Sequence, residues 1–171
     1  MKSVLISIKP KWCELIANGK KTIEVRKTKP KCDTPFKCYI YCTSSELLTR
    51  SYYNSKIYVA TNKKYQNELE RVGNTTLSGK VIGEFICNKI DRLTVCGYVN
   101  NNLELRRVDK NFAVYNLDYD YLNKCQLSLC ELKKYANGED LYGWHISDLV
   151  IYDKPKELSN FYKCGILSYN E

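Results

Sequence analysis

The sequence predicts an α+β fold: a small, mostly antiparallel β-barrel with two or three short helices. Three observations carry this. Several segments alternate apolar and polar residues with the period of two that a half-buried strand requires. Two stretches switch to helical spacing and end in the same Ala-Asn-Gly, at 17–19 and 136–138, where a residue tolerant of positive φ stops a helix. No repeat, low-complexity tract or linker interrupts the 171 residues, so they read as one domain able to bury its own core.

Taken in order, Val4, Ile6 and Ile8 share one face of an opening strand. Pro10 then changes the period and suits a first helical turn, and Trp12, Leu15, Ile16 and Gly19 follow at helical spacing. From Lys21 the period returns to two, with Ile23 and Val25 on one side and Thr22, Glu24 and Arg26 on the other. Two prolines make 27–35 a loop, and 36–43 is a strand that sets Cys38, Ile40 and Cys42 against Tyr39 and Tyr41. Residues 44–78 are mostly polar and read as an insertion, with a strand at 56–61 and a short helix at 66–72. The run 80–95 is strand-like, and Gly83 inside it implies a bulge or a close backbone approach. Residues 103–109 alternate again, Ser128 and Glu131 form the capping-box pattern that opens a helix, and 141–153 is the last clear strand. Pro155 stands where a final helical turn begins.

Lys and Arg outnumber Asp and Glu by 27 to 19, a net charge of +8. That surplus favours an anionic partner, nucleic acid foremost, although a lysine-rich composition alone produces part of it. The nine cysteines are odd in number, and their closest spacings, Cys38 to Cys42 and Cys125 to Cys130, are not the knuckle of a zinc ribbon. They read as thiols serving as small buried hydrophobes, with no metal and no cofactor expected. The apolar segments are too short for a membrane span, and the N-terminal one is too short for a signal peptide, so a cytoplasmic protein without membrane contact is expected. The motifs of nucleotide hydrolysis, dinucleotide redox work and the common hydrolase nucleophiles are missing, and His145, the sole histidine, cannot make a multi-histidine metal site.

Four segments, "SIKPKWCELIANGKKTIEVRK" at 7–27, "YIYCT" at 39–43, "GKVIGEF" at 79–85 and "YGWHISD" at 142–148, resemble an ASCH domain of the PUA-like superfamily. The resemblance spans nearly the whole chain apart from 44–78. It implies a five- or six-stranded barrel closed by helices, and a cleft beside the first helix that accepts RNA or a modified nucleobase. Lys21, Glu24 and Arg26 would line that cleft, with Lys9, Trp12, Lys27 and the strand residues Trp144, His145 and Ser147 as neighbours.

Local chemistry leaves two readings at each position. Glu24 and Arg26 are either a solvated strand pair, contributing less than about 1 kcal/mol, or part of a groove. In a groove Arg26 offers a planar fork, Lys21 a mobile point charge and Glu24 an acceptor for an exocyclic amine. Trp12 either packs in the core or stacks on a base. Trp144 shares parity with Ile146 and Val150, which favours burial, while His145 faces the other way. Glu84, between Ile82 and Ile86, needs a cationic partner or an edge open to water.

Two functional classes follow. The first is a module that binds RNA or a modified nucleobase or nucleoside. The alternative is a small hydrolase, because some ASCH proteins are similar to amidohydrolases acting on N4-acetylcytidine and others resemble RNA-cleaving enzymes. In the amidohydrolases a lysine and a threonine of "G-x-K-T-I-T-x-R" work with a glutamate near a later helix. Lys21 matches the lysine, Glu24 replaces the threonine, and Asn123 and Cys125 stand where that glutamate would be sought. Lys21 and Glu24 are then the catalytic candidates. No protein partner is specified.

Overall fold

The computed structural model describes residues 1–60, 69, 73–99, 102–109, 111–162 and 167–169. The opening matches the sequence pattern: β1 (Ser3–Ile8), α1 (Pro10–Ala17), β2 (Ile23–Arg26) and β3 (Phe36–Cys42). Pro10 occupies the first turn of α1, and Gly19, at φ +70°, turns the chain toward β2. The 44–78 segment contributes β4 (Leu47–Arg50), β5 (Ile57–Ala60) and β6 (Thr75–Thr76). The expected helix at 66–72 lies outside the described residues apart from 69. Next come the long β7 (Val81–Val99), β8 (Asn102–Val108) and β9 (Val114–Asn116). Two helices follow, α2 (Tyr119–Cys125) and α3 (Leu129–Ala136), then β10 (Leu141–Lys156), α4 (Ser159–Tyr162) and β11 (Leu167–Tyr169).

The main sheet runs β11-β1-β3-β7-β10-β2, with β8 and β9 carried on the distal part of β7. The pairings of β1 with β3 and with β11 are parallel; the others are antiparallel. The α+β class is as expected, but the sheet is not closed into the expected barrel: among the described residues no strand pairing joins β2 to the other end of the sheet. The four-residue β2 offers a short ladder, and β11 already occupies the free edge of β1 at Val4 to Ile6. The sheet nevertheless curls far enough for a side chain to span the opening, since Arg26 Nη1 on β2 donates to the Ser7 carbonyl of β1 at 3.0 Å.

Two cores result. The larger packs Val4, Ile6 and Ile8 of β1, Ile16 of α1, Phe85 and Trp144. The smaller lies under α2 and α3 and gathers Ile23, Val25, Leu93, Tyr121, Leu132 and Leu141. Because β2 stands between them, all four of its residues are buried, and the reading of Glu24 and Arg26 as a solvated pair is overturned. Five cysteines, Cys13, Cys32, Cys38, Cys42 and Cys87, fill the larger core; burial pushes the Cys13 and Cys38 thiols well above the ordinary value, as expected of neutral packing groups. Cys96 and Cys130 are exposed.

The 44–78 segment is less detached than its composition implies. Its strands form a separate three-stranded antiparallel sheet, yet Leu48, Ile57 and Leu77 pack into the larger core. Two hydrogen bonds tie it to α1: Asn18 Nδ2 donates to the Ile57 carbonyl at 2.9 Å, and the Val59 amide donates to Glu14 Oε2 at 3.3 Å. No helix among the described residues is long and apolar enough to cross a membrane.

Gly83 is a close-approach glycine. A Cβ there would collide with the Val150 carbonyl and crowd Ile151 on β10, at the contact between the two longest strands. Gly83→Ala should lower the unfolding free energy by about 2 kcal/mol, read as a reduced urea midpoint with an unchanged slope.

Candidate functional site

The sharp turn between α1 and β2 aims Lys21 inward. The Lys20 and Lys21 amides both donate to the Leu15 carbonyl, at 2.8 and 3.0 Å, which fixes the backbone before β2 begins. Lys21 Nζ then donates to the Cys125 carbonyl at the end of α2 (2.5 Å) and lies 3.5 Å from Glu24 Oε2. The other carboxylate oxygen of Glu24 is 3.7 Å from Arg26 Nη1. These three charged residues are only 2–3% exposed. One carboxylate between two cations leaves the buried set with a single positive charge in excess, which argues for an acceptor-rich surrounding.

A cleft of about 530 Å³ opens above this set. Lys9 and Trp12 of the α1 side form one wall, Lys21 and Glu24 the floor, and Glu131, Lys134 and Tyr135 of α3 the facing wall. Trp12 is half-buried and holds the Lys21 ammonium 4.9 Å from its ring centre. Tyr135 presents the opposite aromatic surface, and exposed Lys27 sits 5.3 Å from its ring.

The sequence matches no family model and no curated protein. The three-dimensional arrangement does have counterparts. It is similar to the crystal structure of ASCH from Zymomonas mobilis, at 19% identity and a TM-score of 0.56, covering 96% of this chain and 79% of that one. A tyrosine-to-phenylalanine mutant and a serine-to-alanine mutant of that protein, each at 19% identity and a TM-score of 0.55, match with 82% and 80% of their own chains covered. The chain has the ASCH fold.

Within this ASCH fold, the structure brings Lys9, Trp12, Lys21 and Glu24 together in one cleft, with Arg26 directly behind Glu24 and Lys27 at the rim. Three expected neighbours stand elsewhere. Trp144 is fully buried in the larger core, edge-on to Phe36 with ring centres 5.5 Å apart. Ser147 spends its hydroxyl on the Ile86 carbonyl at 2.9 Å. His145 pairs with Asp91 at 2.7 Å. Trp144 is buried as its parity with Ile146 and Val150 favoured, while Val150 itself is exposed beyond the register shift that follows Ser147.

Sequence reasoning missed Glu131, Lys134 and Tyr135. Their spacing of three and four residues on α3 marks a single helix face, but nothing local tells that this face meets α1. Glu131 is held by its capping box, its Oε2 accepting from the Ser128 amide at 2.8 Å and the Ser128 hydroxyl at 2.7 Å; these bonds hold its carboxyl below the usual range. Cys125 is a neutral thiol, pushed up to about 12 by burial against the opposing pull of Lys21. Glu84 resolves differently from the groove: it meets Lys37 Nζ and the Tyr152 hydroxyl, each at 2.5 Å.

A second polar cluster surrounds Asp91, which has no exposed surface. Besides His145, Lys89 Nζ lies 3.0 Å and Arg107 Nη1 3.7 Å from its carboxylate. Burial alone would raise the Asp91 carboxyl, but hydrogen bonds and charge from His145 and Lys89 outweigh it and hold the group below its ordinary value. A folded-state value below the unfolded one means stabilisation that is present above the ordinary carboxylate range and is lost as pH falls through the folded value. Asp91→Asn should therefore cost about 2 kcal/mol at neutral pH, with the difference from wild type closing in acid, measured by urea unfolding at a series of pH values.

Proposed function

We propose that the cleft binds a nucleobase, presented by single-stranded RNA or as a modified nucleoside. The carrying observation is the buried carboxylate of Glu24, set between Lys21 and Arg26 at the floor of a cleft whose walls hold Trp12 and Tyr135. A base has two flat faces and an edge of mixed donors and acceptors. Aromatic walls suit the faces, at about 1–3 kcal/mol per stacked base. Glu24 suits an exocyclic amine, and Lys21 a ring nitrogen or carbonyl oxygen. Lys9, Lys134 and Lys27 stand at the margins, where a phosphate backbone would pass.

The second reading is hydrolysis of an acylated cytidine or of RNA, favoured by the buried lysine–carboxylate contact of Lys21 and Glu24 at 3.5 Å. Asn123 and Cys125, where the glutamate for it was sought, carry no carboxylate, and Glu131, the glutamate of α3 that does line the cleft, spends its Oε2 on the capping box with Ser128. Binding is therefore preferred over catalysis.

Trp12→Ala should weaken binding of short single-stranded RNA or of N4-acetylcytidine by about tenfold or more with an unchanged circular dichroism spectrum. Wild-type affinity in that variant removes the cleft from the reading. Replacing Lys9 and Lys134 together by alanine should weaken RNA uniformly across sequences and flatten the log affinity against log salt slope by about 1.4. Turnover of N4-acetylcytidine or of labelled RNA by the purified protein, abolished in Lys21→Met, would instead establish the hydrolytic reading.

A further inference from the structure

The cluster around Asp91 gathers three cationic or imidazole side chains on one buried carboxylate, whose Oδ1 is met by the Lys89 charge and not by a hydrogen bond. It lies on β7, β8 and β10, and none of its members lines the cleft. One well-placed cation balances a buried carboxylate; here Lys89, Arg107 and His145 all converge on Asp91. We propose that Lys89, Arg107 and His145 form a second site, one that takes a phosphate group.

Arg107 has unspent hydrogen-bonding capacity. Its Nη1 is 3.7 Å from Asp91, beyond a hydrogen bond. Its Nε is buried without a hydrogen-bond partner among the described residues. The guanidinium lies over two rings, 4.8 Å from the Tyr115 ring centre and 5.3 Å from that of Tyr121. Contacts with ring faces hold the guanidinium without consuming its N–H groups, which leaves them for an anion.

The other two members complete a convergent set. The Lys89 side chain is 44% exposed and uses one side of its ammonium on Asp91. His145 is 26% exposed and is oriented through Nε2, so Nδ1 remains as its second hydrogen-bonding atom. Asp109, a further carboxylate in the field of Lys89, is turned onto its own loop: Oδ1 accepts from the Asn111 and Ala113 amides and Oδ2 from the Tyr115 hydroxyl. The last of these bonds also anchors the ring over which Arg107 lies. A guanidinium, a point charge and, when protonated, an imidazolium, all partly exposed and all within 4 Å of Asp91, suit the several acceptor oxygens of phosphate better than the two of a carboxylate.

His145 is the sole histidine, so histidine-labelled protein gives one imidazole signal by NMR. Titration with inorganic phosphate at pH 7, with ionic strength held constant by chloride, should move that signal along a saturating curve. Arg107→Gln should raise the half-saturation concentration by about tenfold, Lys89→Ala should raise it as well, and the cleft variant Trp12→Ala should leave it unchanged. A displacement linear in phosphate and reproduced by chloride overturns the site, as does unaltered saturation in Arg107→Gln. Should that variant fail to fold by circular dichroism, Lys89→Ala at its half-exposed position decides, and an unchanged curve there overturns the proposal. Competition by single-stranded RNA with and without a 5′-phosphate assigns the source: both competing marks the backbone diester, and the phosphorylated strand alone marks a terminal monoester. The outcome is independent of the cleft, because base binding at Trp12 can fail while phosphate still saturates His145, and the reverse.

Discussion

Everything at the centre of this molecule depends on how three buried charges are reconciled. Removing a carboxylate and two cations from water costs several kcal/mol per ion unless the groups satisfy one another. Here Glu24 stands between Lys21 and Arg26, and the two cations direct their remaining capacity to backbone carbonyls, Lys21 to Cys125 and Arg26 to Ser7. Those two acceptors belong to different parts of the fold. One is the end of α2; the other is β1, across the opening that the strand ladder leaves unpaired. The charged set is therefore both the floor of the cleft and a fastening between elements that no direct strand pairing joins among the described residues.

The separation of the two cores that flank the site follows from the position of β2. Ile23 and Val25 face the helices α2 and α3, while Glu24 and Arg26 face the side of α1 and β1. In an ordinary edge strand the polar alternation would meet water. A close approach on the helical side makes room for this: Gly143 on β10 carries no side chain where the Tyr121 hydroxyl packs, and a Cβ there would collide with it. That contact lets α2 settle low on the sheet, and a low α2 is what brings the Cys125 carbonyl within reach of Lys21.

Local pattern made much of the fold legible. Alternation marked β1, β2 and β3; Pro10 and the Ala-Asn-Gly endings bounded α1 and α3; Ser128 and Glu131 do form the capping box. The Gly83 signal also held, as a close approach to β10. What escaped is decided by the tertiary structure. Alternation says that Glu24 and Arg26 share a face, not whether a helix covers it. Parity along β10 is lost by Val150 because bulges are invisible to a period-two count, and the family resemblance, which set His145 and Ser147 beside the cleft, does not carry the pairings with Asp91 and Ile86 that hold them elsewhere. The short helix α2 has a cap in Asp118, which accepts from the Tyr121 amide at 2.8 Å, and an Asp120–Lys124 pair one turn apart; its seven residues are too few for a helical period to stand out from the tyrosine-rich run around it. Half of the cleft was thus readable from one contiguous segment, 9–26. The facing wall depends on how α3 docks.

The helix α1 is a shared beam. On one side it carries Trp12 into the cleft; on the other, Glu14 and Asn18 grip the backbone of β5 in the small second sheet. A load placed on that sheet, whether by an insertion, a crystal neighbour or a bound molecule, reaches the indole through a single rigid turn and a half of helix. The part of the chain with the least informative composition is thereby mechanically in series with the aromatic wall, and sequence drift in it can retune the width of the cleft without touching any residue that lines it.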